Sequence, residues 1–186
     1  MPCVNRSPWQ IVAALSLVLA ACSGASTSPS DNGPPGSEQP SASAILDHEL
    51  TDVRSGERFT LRQLAADRPV LVETMAVRCT TCRSQQREVV RAHELADFHS
   101  VGINVDPSER AGELAAYADQ EGFDWRFAMA DAALVQLLTD AYGFAVLNPP
   151  STPTFVISTD GRIRALEFGR VRSADELVAE MGVRSD

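Results

Sequence analysis

The 186-residue chain contains no lysine: its 16 basic residues are all arginine, set against 25 acidic ones, for a net charge of −9. The arginines form no block or stripe, which argues against nucleic acid as a partner. Their exclusive use reads as genome composition rather than function. Long apolar runs are missing as well. The stretch Ile11–Ala21, broken only by Ser16, falls short of the roughly 20 residues a permanent membrane-spanning helix needs. No repeat occurs at the periods of solenoid proteins. Cysteine is scarce, with Cys3, Cys22, Cys79 and Cys82 the only four. The length fits one domain with appendages.

A single charge, Arg6, precedes the apolar stretch, an order that reads as a secretory signal. Leu19-Ala20-Ala21-Cys22 closes that stretch and resembles a bacterial lipobox. The resemblance implies cleavage before Cys22, a diacylglyceryl thioether on its sulfur and an acylated new N-terminus. A plain secretory signal and a retained membrane anchor are the alternatives; all three put the domain outside the cytoplasm. From Ser23 to Ser43 the chain is Ser, Pro and Gly with almost nothing apolar, too little to offset the entropy of ordering. The expected organisation is a lipoprotein signal peptide over 1–21, a disordered tether over 22–43 and a folded domain over 44–186.

Within that domain, Glu49–Val53 and Arg58–Thr60 alternate around Ser55-Gly56, a hairpin signal. Leu61–Ala66 is a short helix ending before Pro69. Val70–Val77 is nearly continuous apolar sequence with Glu73 inside it, which suits a strand buried on both faces. A second strand starts at Ser100 and stops at Asp106-Pro107, and a third covers 125–130. Helices are expected over 80–98, over 108–122 with Ser108 as N-cap, over 132–143, and over 173–182 with a Ser173/Glu176 capping box. A last hairpin turns at Asp160-Gly161 between 154–158 and 162–169. The pattern is an α/β sandwich around a mixed sheet.

The chemistry sits in the Cys79-Thr80-Thr81-Cys82 stretch. Once the signal is removed and Cys22 lipidated, these two thiols are the only ones left. An oxidising compartment favours disulfides, but a bridge closing a two-residue loop constrains the unfolded chain very little. A structural staple would be badly placed here. C-x-x-C is shared by redox pairs and zinc knuckles. Its position, after a buried strand and at a helix start, favours redox chemistry, because the N-terminal N–H groups and dipole stabilise a thiolate. Arg78 and Arg83 would add to that if they approach the sulfurs. Cys79 is the expected nucleophile and Cys82, one turn into the helix, the resolving thiol.

Over 50–181 the sequence resembles the thioredoxin-like superfamily, and within it the membrane-tethered TlpA/ResA-type thiol–disulfide oxidoreductases. The likeness rests on LTDVRSGERFTLRQL followed by RPVLVETMAVRCTTCR, then on STPTFVI and STDGRIRALEFG. It implies a three-layer α/β sandwich, a mixed central sheet flanked by helices, with an N-terminal β-hairpin extension. It implies no cofactor, since the dithiol carries the electrons. The implied partners are client proteins with disulfides or thiols and a membrane electron-transfer partner that recycles the pair; apocytochrome c maturation is one such client pathway. Pro153 matches the family's cis-proline, which lies against the redox pair and positions an incoming peptide, with Thr152 presenting its backbone to the substrate. An ordinary strand-entry proline is the alternative. Glu73, six residues before Cys79, stands where thioredoxin has a buried carboxylate. In an apolar strand its pKa should rise, and it would relay a proton to or from Cys82. A strand-edge or arginine-paired glutamate is the alternative.

The sequence departs from the family at several points. Arg78 stands in place of the usual tryptophan, Met75 replaces another aromatic, the pair lacks the familiar proline, and Gln85 stands where some members have glutamate. The site surface is thereby more cationic and less aromatic, and Arg78 joins Thr152 and Pro153 among the substrate-binding candidates. Three rival readings exist. Cys79, Cys82, His93 and His99 approach zinc-finger spacing; with both histidines on the helix of Cys82, and His93 about 16 Å of helix rise beyond it, one ion cannot take all four. A Sco-type copper chaperone would use the same dithiol, but such proteins usually space the cysteines three apart and add a late histidine, and none follows His99. A thiol peroxidase normally has a threonine three residues before its cysteine, where Ala76 precedes Cys79 and Cys79 itself precedes Cys82.

Overall fold

The computed structural model describes residues 40–182. The expected signal peptide, Cys22 and the tether as far as residue 39 lie outside the described residues. Helix α1 (Pro40–Asp47) starts inside the stretch expected as tether and matches no element expected from the sequence. Ile45 and Leu46 are its buried apolar anchors, and Arg62 fastens its end, donating from Nη2 to Ser43 Oγ (3.0 Å) and Asp47 Oδ2 (3.1 Å).

Strands β1 (Leu50–Thr51) and β2 (Arg58–Phe59) form the N-terminal hairpin, with Leu50 opposite Phe59. Buried Asp52 organises its turn. Oδ1 accepts from the Ser55 N–H (2.8 Å), the Ser55 hydroxyl (3.0 Å) and the Arg54 N–H (3.1 Å), while Oδ2 accepts from the Phe127 N–H (3.0 Å) and so docks the hairpin on the main sheet. Helix α2 (Leu61–Ala65) begins with a Thr60/Gln63 capping box. Then come β3 (Val70–Met75), α3 (Thr80–Leu95), β4 (His99–Asn104), α4 (Ala111–Glu121), β5 (Arg126–Met129) and α5 (Ala132–Tyr142). Two 3₁₀ turns (Phe144–Leu147 and Pro149–Ser151) lead to β6 (Thr154–Ile157), β7 (Ile163–Ala165) and α6 (Ala174–Met181). Ser173 and Glu176 cap α6 reciprocally, as their spacing predicts.

The five-stranded sheet runs β5-β4-β3-β6-β7. β4 lies parallel to β3 and β5 parallel to β4; β6 is antiparallel to β3, and β7 to β6. β3 is the central strand with every residue buried, which is why its sequence is apolar without alternation. One side carries Leu71, Met75, Val89, Leu114, Leu177 and both cysteines; the other carries Val70, Val72, Ile103, Leu134 and Phe155. The chain thus adopts the expected thioredoxin-like three-layer sandwich with a mixed sheet and a small N-terminal hairpin. Among the described residues no helix is long and apolar enough to cross a membrane.

Two helix boundaries differ from expectation. α3 ends at Leu95, because Ala96 is extended (φ −155°) and Phe98 turns into the core, so His99 falls on β4 rather than on the helix. α4 begins at Ala111 with Arg110 at the N-cap. Ser108 cannot cap it: its N–H (2.9 Å) and hydroxyl (2.7 Å) both donate to Asp106 Oδ1, closing the preceding turn.

Candidate functional site

β3 ends at Met75, three residues cross the top of the sheet, and Cys79 becomes the N-cap of α3 (φ −81°, ψ 104°). Cys79 and Cys82 are joined by a disulfide, their Cα atoms 5.3 Å apart. The Cys82 N–H donates to Cys79 Sγ at 3.1 Å. The sulfur of Cys79 therefore takes the place of the oxygen that usually satisfies a free amide at a helix start. Cys79 retains 8% of its surface and Cys82 3%, so the more exposed residue of the pair is the one at the helix tip.

The crossing loop is held by Glu109, a residue the sequence reading did not single out. Its buried carboxylate accepts from the Val77 N–H (2.7 Å), the Arg78 N–H (3.3 Å) and Asn104 Nδ2 (2.6 Å). Asn104 ends β4, the parallel neighbour of β3, so this latch sits at the carboxyl ends of adjacent parallel strands, where α/β sheets place their sites. An Asn and a Glu just beyond a buried strand were the available signal.

Neither flanking arginine is free to serve the sulfurs alone. Arg78 is three-quarters exposed, with Nε 3.9 Å from Glu109. Arg83 turns to Glu121 (3.0 Å) and lies over the Tyr117 ring, 5.6 Å from its centre. Gln85 is buried and clamps α3 to the segment before α6: its Nε2 donates to the Arg172 carbonyl (3.1 Å), and the Arg172 N–H donates to Oε1 (2.7 Å).

The segment before β6 closes the other side. The Pro149 carbonyl is 3.3 Å from Cys82 Sγ. Thr152 is the one non-glycine among the described residues with a left-handed backbone (φ 47°, ψ 58°). Its N–H donates to the Pro149 carbonyl (2.8 Å) and its hydroxyl to the Arg170 carbonyl (2.7 Å), while its carbonyl accepts from the Thr154 hydroxyl (3.0 Å). Of the backbone groups expected to face a substrate, the Thr152 N–H is already engaged. Pro153 is buried, and its carbonyl accepts from the Thr74 N–H (3.1 Å).

Glu73 is buried on the central strand, and burial pushes its carboxyl up to about 8, the Gln86 amide pulling back in part. The strand-edge and arginine-paired alternatives fail: β3 has neighbours on both sides, and Glu73 forms no ion pair among the described residues. Both histidines are engaged away from the redox pair. His93 stacks on Phe98 (4.0 Å between ring centres) and meets the Ser100 hydroxyl at 2.9 Å, and His99 on β4 meets Asp67 at 3.4 Å. Among the described residues no three His, Cys, Asp or Glu side chains stand together as a metal-binding group.

Fold and site together define a thioredoxin-like thiol–disulfide oxidoreductase, its C-x-x-C pair at the N-terminus of the helix that follows the central strand. The chain belongs to the Redoxin family, which residues 34–180 match. Solved structures of the same fold include a secreted Mycobacterium tuberculosis disulfide oxidoreductase homologous to E. coli DsbE, at 16% identity and TM-score 0.55 over 74% of this chain and 96% of that chain. A thiol:disulfide interchange protein of the thioredoxin family from Chlorobium tepidum TLS shares 21% identity, with a TM-score of 0.59 over 73% and 90%. A SCO1/SenC family lipoprotein from Bacillus anthracis str. Ames shares 16%, with a TM-score of 0.54 over 73% and 90%. No curated protein matches the chain.

Proposed function

We propose that this chain is an extracytoplasmic enzyme, anchored through a lipid on Cys22, that exchanges disulfides with client proteins through Cys79 and Cys82. The observation that carries the reading is the hydrogen bond from the Cys82 N–H to Cys79 Sγ. A donor already aimed at that sulfur, at a helix N-terminus, favours its thiolate over its thiol. The Cys79 thiolate attacks one sulfur of a client disulfide, the client S–S bond breaks, and a client thiolate leaves. Cys82 then gives its proton to the Glu73 carboxylate and attacks Cys79 Sγ, releasing the second client thiolate. Two electrons pass from the dithiol to the client. In reverse, the Glu73 carboxylic acid returns that proton to Cys82 as it leaves. In this reading Arg78, Thr152 and Pro153 hold the client chain, and a membrane partner resets the dithiol.

The full-length protein tests this. Cys82→Ser should accumulate client adducts that reducing agent releases, and Cys79→Ser should form none and lose turnover. A fully active Cys79→Ser protein would refute the mechanism. Cys22→Ala should leave the membrane fraction; retention there would refute the lipid anchor.

A further inference from the structure

A polar chain lies buried among the apolar residues that also enclose the redox pair. Gln86, one turn beyond Cys82, has no exposed surface. Its Oε1 accepts from the Tyr117 hydroxyl at 2.6 Å. Burial raises the Tyr117 phenol to about 12, so at neutral pH that hydroxyl keeps its proton and acts as a donor here. The donor draws the carbonyl end of Gln86 toward Tyr117 and turns Nε2 the other way. Gln86 Nε2 is buried without a hydrogen-bond partner, and so is Glu73 Oε1. Gln86 is also the side chain that draws the Glu73 titration back toward the ionised form. An orphaned donor on α3 and an orphaned acceptor on β3 are thus both buried.

We infer that Tyr117 is a positioning residue: through Gln86 it aims an amide N–H at the Glu73 carboxyl and so sets the pH at which Glu73 releases its proton. Other charges contribute little there. Across the sheet, Glu73 pairs with Gly102 and Thr154, neither of which titrates. α3 brings the two sulfurs and Arg83, and α4 brings Tyr117 and Glu121, with Arg83 and Glu121 paired at 3.0 Å. The turn over 149–151 brings no titratable side chain. Arg62 of α2 is bonded to Asp47, and Glu176 and Glu180 of α6 are engaged by Arg170 and Arg164. An N–H donated to a carboxylate favours the charged form. Without the Tyr117 hydroxyl the amide turns, and a reversed Gln86 accepts from the protonated acid instead. Either outcome moves the Glu73 midpoint upward.

The inference rests on the redox reading only for its consequence, the pH at which Cys82 resolves a mixed disulfide. Its test needs no client. In the full-length oxidised protein, the infrared carboxylic-acid band lost in Glu73→Gln reports Glu73, and its intensity is followed against pH. Tyr117→Phe and Gln86→Met should each raise the midpoint by about one unit, the size of one hydrogen bond to a charged group. In the Gln86→Met background, Tyr117→Phe should add nothing. A residue that merely fills space would leave the midpoint in place. An unmoved or lowered midpoint in either single variant would overturn the inference, as would an added rise in the double variant. Because Gln86→Met carries the test alone, a misfolded Tyr117→Phe protein does not rescue the idea. Failure of the cysteine variants to behave as proposed would leave the infrared result standing.

Discussion

Replacing Glu73 with glutamine should remove a pH dependence from the stability of the whole domain. In the fold the carboxyl titrates at about 8, against 4.5 in its ordinary state. Between those values the folded chain holds a proton that the unfolded chain has released. The stabilising effect of that proton is therefore complete below the unfolded value and is lost as pH rises through the folded one. At about 1.4 kcal/mol per unit, the displacement from 4.5 to about 8 amounts to roughly 5 kcal/mol over the window. His93 works in the opposite direction, since burial lowers its pKa and its folded form is favoured as pH rises. The difference between wild type and Glu73→Gln cancels that contribution. Urea unfolding of the oxidised proteins, followed by tryptophan fluorescence from pH 5 to 8.5, should show near-equal stability at the acid end. At pH 8 the variant should lead by roughly 4 kcal/mol. Parallel curves over this range would refute the argument, because a carboxyl with an ordinary pKa is already ionised in both states.

Three further expectations follow from single contacts. A methyl group on Gly102 would come within 2.5 Å of the Phe127 ring, so Gly102→Ala should cost about 1–3 kcal/mol by overpacking; an unchanged melting temperature would contradict this. Glu109→Gln turns one acceptor of the loop latch into a donor facing donors, at a cost of about 1–3 kcal/mol. Alkylation of Cys79 in the reduced variant should change in rate as the loop loosens, and an identical rate would show that the latch does not hold the pair. Asp52→Ala should free the hairpin turn, so that the Arg54 and Ser55 amides exchange with solvent faster while those of β3 do not; uniform exchange would argue against a local role.

The elements that were legible in the sequence are those whose pattern is local. The apolar run of β3, the capping box of α6 and the hairpin after Pro153 each express a rule within a few residues. The redox pair was legible because its chemistry is contiguous, at Cys79 and Cys82, and the burial of Glu73 was legible from the apolar strand around it. Glu109, Gln86 and Tyr117 gave no comparable signal, because a buried carboxylate, a buried amide and a buried phenol look like solvated helix residues until the fold brings their partners in. Tyr117 reaches Gln86 across 31 positions, and Glu109 reaches Val77 across 32. α1 was missed because two buried side chains and one arginine hold it, and its own composition matches the tether. Ser108 misled for a different reason: a serine fits an N-cap and a turn equally well, and Asp106 decided which.

The sulfur that caps α3 changes its charge whenever the pair is reduced to a thiolate. A charged sulfur is the stronger acceptor, so the amide of Cys82 is bound more tightly in the reduced protein than in the oxidised one. By a closed thermodynamic cycle, whatever that bond adds to the reduced fold it also adds to the ease of accepting electrons. The nitrogen–proton resonance of Cys82 is therefore an internal gauge of the couple, one nuclear signal that moves with oxidation state.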